Sequence, residues 1–334
     1  MSSPDFYLVL DAGGSSSRGV LLKREGWQLV AAGRGGPVNI TQDDERTIKG
    51  NLLGLVDELL EGSQTSLTGV QGVVVGVAGW FSARWEEGKR LIHTSFEEAG
   101  FDGELRIIHD SLTAWSGATG GKRPSVVVYS GTGSFAYGES ETGETAHADI
   151  LGPLLGDAGS GYWIGLKGLR AALESREGRG EKTSLEDLLP EVFGTAEVGE
   201  IVKFIWETGL SRREIASTTP LIARAAEAGD TVSKRIFTEA ACKLADSALS
   251  VGKRLARTPD DKGKFDLYYS GGVFSSGQLL IAPLAAQLQK QWPGVKLEPA
   301  RYGPLVGALL RGTGQEEEQF GAEQLQAIED AFDG

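Results

Sequence analysis

The sequence predicts an α/β protein made of two similar lobes that face each other across a cleft. Three observations carry this expectation. Short apolar runs that read as buried strands alternate with stretches at helical spacing. A strand, a serine-bearing glycine turn and a returning strand occur twice, at residues 6–23 and 125–138, about 120 residues apart. The 334-residue chain, 40% hydrophobic, suits one large domain or two of ordinary size.

The first half supplies these elements in order. Residues 6–10 are continuously apolar, as in a strand buried on both faces. Asp11 to Ser17 is the first glycine turn, 18–23 the returning strand and 28–32 a third strand. A loop over 33–39 precedes a helix opened by Thr41, with Asp44 as its capping-box partner. Ile48, Leu52, Leu55, Val56 and Leu59 fall on one face of that helix. Residues 72–77 form another buried strand and 78–82 a loop. A helix around 86–98 then leads to a strand over 105–110 that ends at Asp110, with a helix starting at Ser111.

The pattern then begins again, with a strand at 125–129, a turn at 130–134 and a return at 135–138. The loop 151–161 leads into a helix over 162–173, and 174–264 is mostly helical. A strand at 265–269 runs through Ser270-Gly271-Gly272-Val273 to a helix at 278–290. A short strand at 295–298, helices at 304–311 and 323–332, and an exposed charged stretch at 315–319 close the chain. The lobe boundary is expected after residue 113, giving lobes 1–113 and 114–334.

Composition narrows the function. Net charge is −13, which disfavours nucleic acid and anionic membranes as partners. A nucleotide remains compatible, because backbone N–H groups and a metal ion bind phosphate without a basic patch. The one cysteine, Cys242, excludes an internal disulfide framework and reads as a core thiol. His93, His109 and His147 lack ligand spacing. No apolar run is long enough to span a membrane, and residues 1–5 lack the parts of a signal peptide. A cytoplasmic location is expected.

Several stretches have the chemistry of a site. Gly13, Gly14, Ser15, Ser16 and Ser17 let a backbone turn approach phosphate oxygens and offer hydroxyl and N–H donors. No lysine follows in P-loop fashion, and a strand follows where a Rossmann turn has a helix. Gly131, Thr132 and Gly133 form the second such turn. Either alone reads equally as a plain hairpin turn; two in one chain point to a nucleotide held from both sides. Asp11 closes a buried strand, and a hydrated Mg²⁺ is a fitting partner. Asp110 is either a general base or the N-cap of the helix behind it. Gly271 and Gly272 suit backbone contact with adenosine, and the loop at 156–161 suits a ligand. Trp80, Trp85, Trp115 and Trp163 are either sugar-lining or core.

Together these motifs resemble the superfamily of sugar and acetate kinases, chaperone ATPases and actin, with two ribonuclease H-like lobes. Asp11–Ser17 resembles its first phosphate motif, Ser130–Ser134 its second and Ser270–Val273 its adenosine motif. The run Gly-Pro-Leu-Leu-Gly-Asp-Ala-Gly-Ser-Gly-Tyr-Trp-Ile-Gly at 152–165 resembles the N-acetylglucosamine kinase and BadF/BadG-type ATPase family. The resemblance implies ATP and Mg²⁺ as cofactors, Asp110 as catalytic base, and sugar contacts at Asn39, Asp110, Thr132, Gly133 and Asp157. It implies transfer to the 6-hydroxyl of N-acetylglucosamine or glucosamine, and a homodimer is expected. Phe135 stands where many relatives have Asn, and Ala158 where many have Glu, so the amino sugar itself is not fixed. A kinase for N-acetylmuramic acid, a BadF-type ATPase and a sugar-sensing regulator are the alternatives. The lone cysteine opposes an iron–sulfur activator, which uses more than one per subunit. The absence of a basic helix-turn-helix opposes a regulator.

Overall fold

The computed structural model describes residues 5–61, 63, 65–256, 265–315 and 317–332. The expectations for residues 1–4, for the end of the helical stretch at 257–264 and for Glu316 lie outside the described residues.

In chain order the elements begin β1 (Phe6–Ala12), β2 (Ser17–Lys23), β3 (Gln28–Gly35), α1 (Glu45–Glu61), β4 (Val70–Val77), α2 (Trp85–Glu98), β5 (Glu104–His109) and α3 (Asp110–Thr119). They continue with β6 (Ser125–Ser130), β7 (Ser134–Glu139), β8 (Thr145–Ala148), α4 (Gly152–Leu155), α5 (Gly161–Arg176), α6 (Leu185–Phe193), α7 (Val198–Thr208), α8 (Arg212–Ala216) and α9 (Thr219–Glu227). Last come α10 (Thr231–Leu255), β9 (Asp266–Ser270), α11 (Gln278–Gln291), β10 (Leu297–Pro299), α12 (Pro304–Thr313) and α13 (Ala322–Asp330).

The strands form two five-stranded sheets, ordered β3-β2-β1-β4-β5 and β10-β9-β6-β7-β8. Both have the same plan. The first strand of each is central, pairs antiparallel with the second and parallel with the fourth, and the third strand lies beyond the second. The repeat legible in the sequence is therefore a repeat of topology. The strand β8 has no counterpart among the sequence expectations. It is four residues long and bears little apolar pattern to announce it.

The chain divides into two compact units, Met1–Lys122 with Pro299–Gly334, and Arg123–Glu298. This differs from the expected lobes 1–113 and 114–334. A cut after 113 would sever α3, which runs on to Thr119 and stops at Gly120 in the left-handed region. The end of the chain joins the first unit because α12 packs backbone to backbone on α3. A Cβ on Gly117 would stand 2.1 Å from the Gly303 carbonyl oxygen, and one on Gly307 1.8 Å from that of Thr113. Only glycine permits that approach.

The first sheet is covered on both faces, which explains the unbroken apolar run of β1. Leu8 and Leu10 pack with Val73, Val75 and the α1 face of Ile48, Leu52 and Leu55. Val9, pointing the other way, packs with Val20, Val74 and Leu305, Val306 and Leu309 of α12. The expected start of α1 is corrected by three residues, from a cap at Thr41 to one at Asp44. Asp44 itself is the capping residue, its Oδ1 accepting the Thr47 N–H at 2.7 Å, while the Thr41 N–H is held by Asn39 Oδ1. In the second unit the alanine-rich α10 lays Ala240, Ala241, Leu244 and Ala248 into the core. Cys242 on the same helix is only partly buried, so the core-thiol expectation is corrected: its position on α10 faces partly outward. Among the described residues no helix is long and apolar enough to cross a membrane.

Candidate active site

Asp11 and Asp110 sit at the same end of the first sheet. Ala12, Val77 and His109 lie in register across β1, β4 and β5, so Asp11 is one residue before this row and Asp110 one after it. Both lie at the carboxyl ends of parallel strands, where α/β sheets bind ligands. Burial pushes the Asp110 carboxyl up to about 7; the Ser111 N–H works against this and the nearby Asp11 charge adds to it. Burial pushes Asp11 up to about 6, opposed by Arg18, its cross-strand partner in the hairpin, and reinforced by Glu329. A carboxyl poised near 7 suits proton transfer at neutral pH.

The alternative role of Asp110 as a helix cap belongs to its neighbour. His109 is the N-cap of α3, its Nδ1 accepting the Leu112 N–H at 3.1 Å. The His109 ring stacks on Trp80, with centroids 3.8 Å apart and planes 8° from parallel. Asp110, the first residue of the helix, has Oδ1 on the Ser111 N–H at 2.8 Å.

The first glycine turn closes through the Gly13 N–H on the Ser16 carbonyl at 3.1 Å, and Gly14 is exposed. Asn39 lies against this turn: its Nδ2 would be 3.0 Å from a Cβ on Gly14. Ser15 and Ser16 remain at the surface of the turn. Ser17 does not. Its side chain is fully buried in β2, and its hydroxyl donates to the Gly36 carbonyl at 2.8 Å. Its place among the phosphate donors is therefore corrected: it braces the 33–39 loop that carries Asn39.

In the second unit the glycine turn and the loop at 156–161 are one built piece. The Ser130 hydroxyl donates to the Gly159 carbonyl at 2.9 Å, and the Gly161 N–H donates to that of Gly131 at 2.8 Å. Asp157 joins them. It is buried, in the left-handed region at φ 59°, and its Oδ1 accepts the Ser134 N–H at 3.0 Å. Its Oδ2 pairs with Arg212. Burial raises the Asp157 carboxyl, against the pull of the Ser134 N–H and Arg212. Gly133 is pressed on this pair, since a Cβ there would be 2.7 Å from Asp157 Oδ1. Thr132, in the same turn, gives its carbonyl to the Tyr162 N–H at 3.3 Å.

Gly271 and Gly272 follow β9 directly. Gly271 has φ 105° and packs on Ser130, whereas Gly272 is exposed with open space around its Cα. Phe135 turns back onto its cross-strand neighbour Tyr129, with ring centroids 5.1 Å apart. Of the four tryptophans, Trp115 is fully buried core, and Trp85 and Trp163 lie under the ammonium groups of Lys89 and Lys167.

Two residues of this region escaped the sequence reading. Asp149 is a second carboxylate at positive φ, 61°, an uncommon state for a non-glycine residue and one that gathers at functional sites. Its Oδ2 accepts the Ala158 N–H at 2.7 Å, and burial pushes it up to about 6, aided by Asp157 and opposed by Ala158, Ser134 and Lys243. Arg212 is the other. Neither lies in a glycine turn or any recognisable spacing; Asp149 is brought in by β8 and Arg212 from 55 residues along the chain.

Solved structures show the same architecture. A protein from Chromobacterium violaceum, provisionally named an N-acetylglucosamine kinase, matches with TM-score 0.72 and 21% identity over 92% of this chain and 98% of its own. A ROK family glucokinase from Streptomyces griseus matches with TM-score 0.59 and 18% identity, over 91% and 97%. The fold is thus that of the sugar kinases, two α/β units of matched topology. At the sequence level a Clostridium acetobutylicum N-acetylmuramic acid/N-acetylglucosamine kinase is 31% identical over 305 residues, 91% of this chain and 97% of the relative. The BadF/BadG/BcrA/BcrD ATPase family matches residues 10–312, and the chain belongs to that family.

Proposed function

We propose that this protein is an ATP-dependent amino-sugar kinase that phosphorylates N-acetylglucosamine or glucosamine at the 6-hydroxyl. The observation that carries the chemistry is Asp110: a carboxyl near neutrality, released from capping duty by His109, at the carboxyl end of a parallel strand. The names of the relatives support an amino sugar as acceptor.

In this reading the sugar hydroxyl gives its proton to Asp110 as its oxygen bonds to the γ-phosphorus. The bond to the β,γ-bridging oxygen breaks, and ADP leaves. Such transfers depend mainly on positioning and charge neutralisation. Gly13, Gly14, Ser15 and Ser16 hold phosphate in one unit, and Gly131, Thr132 and Gly133 in the other. Gly271 and Gly272 face the adenosine. Asn39, Thr132, Gly133 and Asp157 contact the sugar.

Among the described residues no group of three or more His, Cys, Asp or Glu side chains forms a metal cage. That fits Mg²⁺, which takes one or two carboxylates together with water and nucleotide phosphates. Asp11, buried and facing a like charge at Asp110, is the residue to hold it. Bound there, the ion would neutralise charge on the phosphates. The reading extends to a cytoplasmic homodimer, which light scattering tests.

The test is ADP release with ATP·Mg²⁺ against a panel of hexoses and hexosamines, including N-acetylmuramic acid. Release that depends on an amino sugar is expected. Release at the same rate without any sugar would replace the kinase reading with that of an ATPase.

A further inference from the structure

The second unit holds a cation that the roles above leave unused. Arg212 opens α8, and its Nη2 pairs with Asp157. The same Nη2 would be 3.3 Å from a Cβ on Gly133, so the guanidinium overhangs the second glycine turn. Its position is fixed from two sides. A capping box secures α8, with the Ser211 hydroxyl on the Glu214 N–H at 3.2 Å and the Glu214 carboxylate on the Ser211 N–H at 2.8 Å. The Tyr162 ring lies 5.8 Å from the guanidinium carbon.

A guanidinium carries five N–H donors in a rigid fork. Here only Nη2 makes a hydrogen bond among the described residues. Nε is buried and has no hydrogen-bond partner among the described residues. A buried charged donor without an acceptor is costly, and protein interiors rarely keep one. The acceptor it fits is an anion at the Gly131–Gly133 turn.

We propose that Arg212 is a catalytic residue that contacts the phosphoryl group in flight. Its Nε–H and the Nη2–H beside it donate to the phosphoryl oxygens while the other Nη2–H keeps Asp157 aligned. This rests on the kinase reading and adds to it a cation at the junction of phosphate and sugar. The Arg fork matches phosphate oxygens in a way a lysine ammonium does not. As charge develops on the transferred group, the fixed guanidinium needs no rearrangement to stabilise it.

The experiment compares wild type, Arg212→Lys, Arg212→Gln and Arg212→Ala. It measures kcat, KM for each substrate, and sugar affinity by calorimetry. Arg212→Gln is expected to lose about 10²–10³-fold in kcat, as for removal of one preorganised donor, with sugar affinity changed by less than about fivefold. Arg212→Lys keeps the pair with Asp157 and should hold wild-type sugar affinity but no more than about a tenth of the wild-type kcat, since the fork is gone. Added guanidinium should raise the kcat of Arg212→Ala. If the glutamine variant unfolds, the lysine variant alone decides. Unchanged kcat with weakened sugar affinity would reduce Arg212 to a holder of Asp157 and overturn the proposal. Full activity in every variant would overturn it as well. A wild type without sugar-dependent ADP release overturns the kinase reading, and this proposal with it.

Discussion

Gly271 meets Ser130 backbone to backbone: a Cβ on Gly271 would stand 2.3 Å from the Ser130 carbonyl oxygen, at a φ of 105°. The end of β9 and the start of the second glycine turn are thus locked together, and glycine is required on two grounds at once. Gly271→Ala is expected to lower stability by about 1–3 kcal/mol, the usual cost of such strain, and to weaken ATP binding. Gly272→Ala, with open space around it, should change stability by less than about 0.5 kcal/mol, as surface substitutions do. Thermal melts and nucleotide calorimetry on the two variants check the contrast.

Asp110→Asn should lower kcat by about 10²–10⁴-fold while leaving sugar binding measurable. Turnover like that of the wild type would remove Asp110 from the role of base. In the wild type kcat/KM should rise with pH and level off above about 7, because the base works only when deprotonated. Asp11→Asn should move that limb to lower pH, since the Asp11 charge is one cause of the shift.

The same raised carboxyl predicts a stability effect of definite sign. With a folded pKa near 7 against an ordinary value of 3.8, the folded state holds more protons between those values, so stability falls as pH rises through that window. Asp110→Asn should therefore melt at a higher temperature than wild type at pH 8, and the gap should close towards pH 4. Equal melting curves at pH 8 would argue against the raised carboxyl.

Asp157→Ala should weaken sugar binding by about tenfold or more, the scale of one lost charge-assisted hydrogen bond, and ATP binding much less. It also frees the Ser134 N–H and leaves Arg212 unpaired, so some loss of stability should accompany it. Calorimetry with sugar and with ATP separates the two effects.

Gly307→Ala tests how α3 is held. Its Cβ would fall 1.8 Å from the Thr113 carbonyl oxygen, so α12 must retreat from the helix that begins with Asp110. A loss of about 1–3 kcal/mol is expected, as for overpacking, with a fall in kcat larger than the change in either KM. Unaltered kcat in a folded variant would show that α3 keeps its place without that contact.

Local chemistry made much of this legible. The apolar run of β1 announced a strand covered on both faces, and the two glycine turns announced a repeated topology. Asp11, Asp110 and Asp157 stand out because each closes a strand or sits among glycines. The remainder depends on tertiary contact. The burial of Ser17 follows from where Gly36 lies, and the cap of α3 from the tautomer and rotamer of His109. Asp149 and Arg212 are joined to Asp157 only by folding. The unit boundary was misplaced because nothing near residue 113 tells of glycines some 190 residues further on, a separation set by the fold and not by any local pattern.

The α3–α12 contact has a bearing on how the molecule matures. The residues from 123 to 298 make a compact unit from one continuous stretch of chain, and domains generally fold as units during synthesis. The earlier-made unit must wait, because the helix carrying Asp110 gains its backing only when residues 303–313 emerge. A chain that stalls before that point lacks the element that seats Asp110, so α3 is backed only once residues 303–313 have been made.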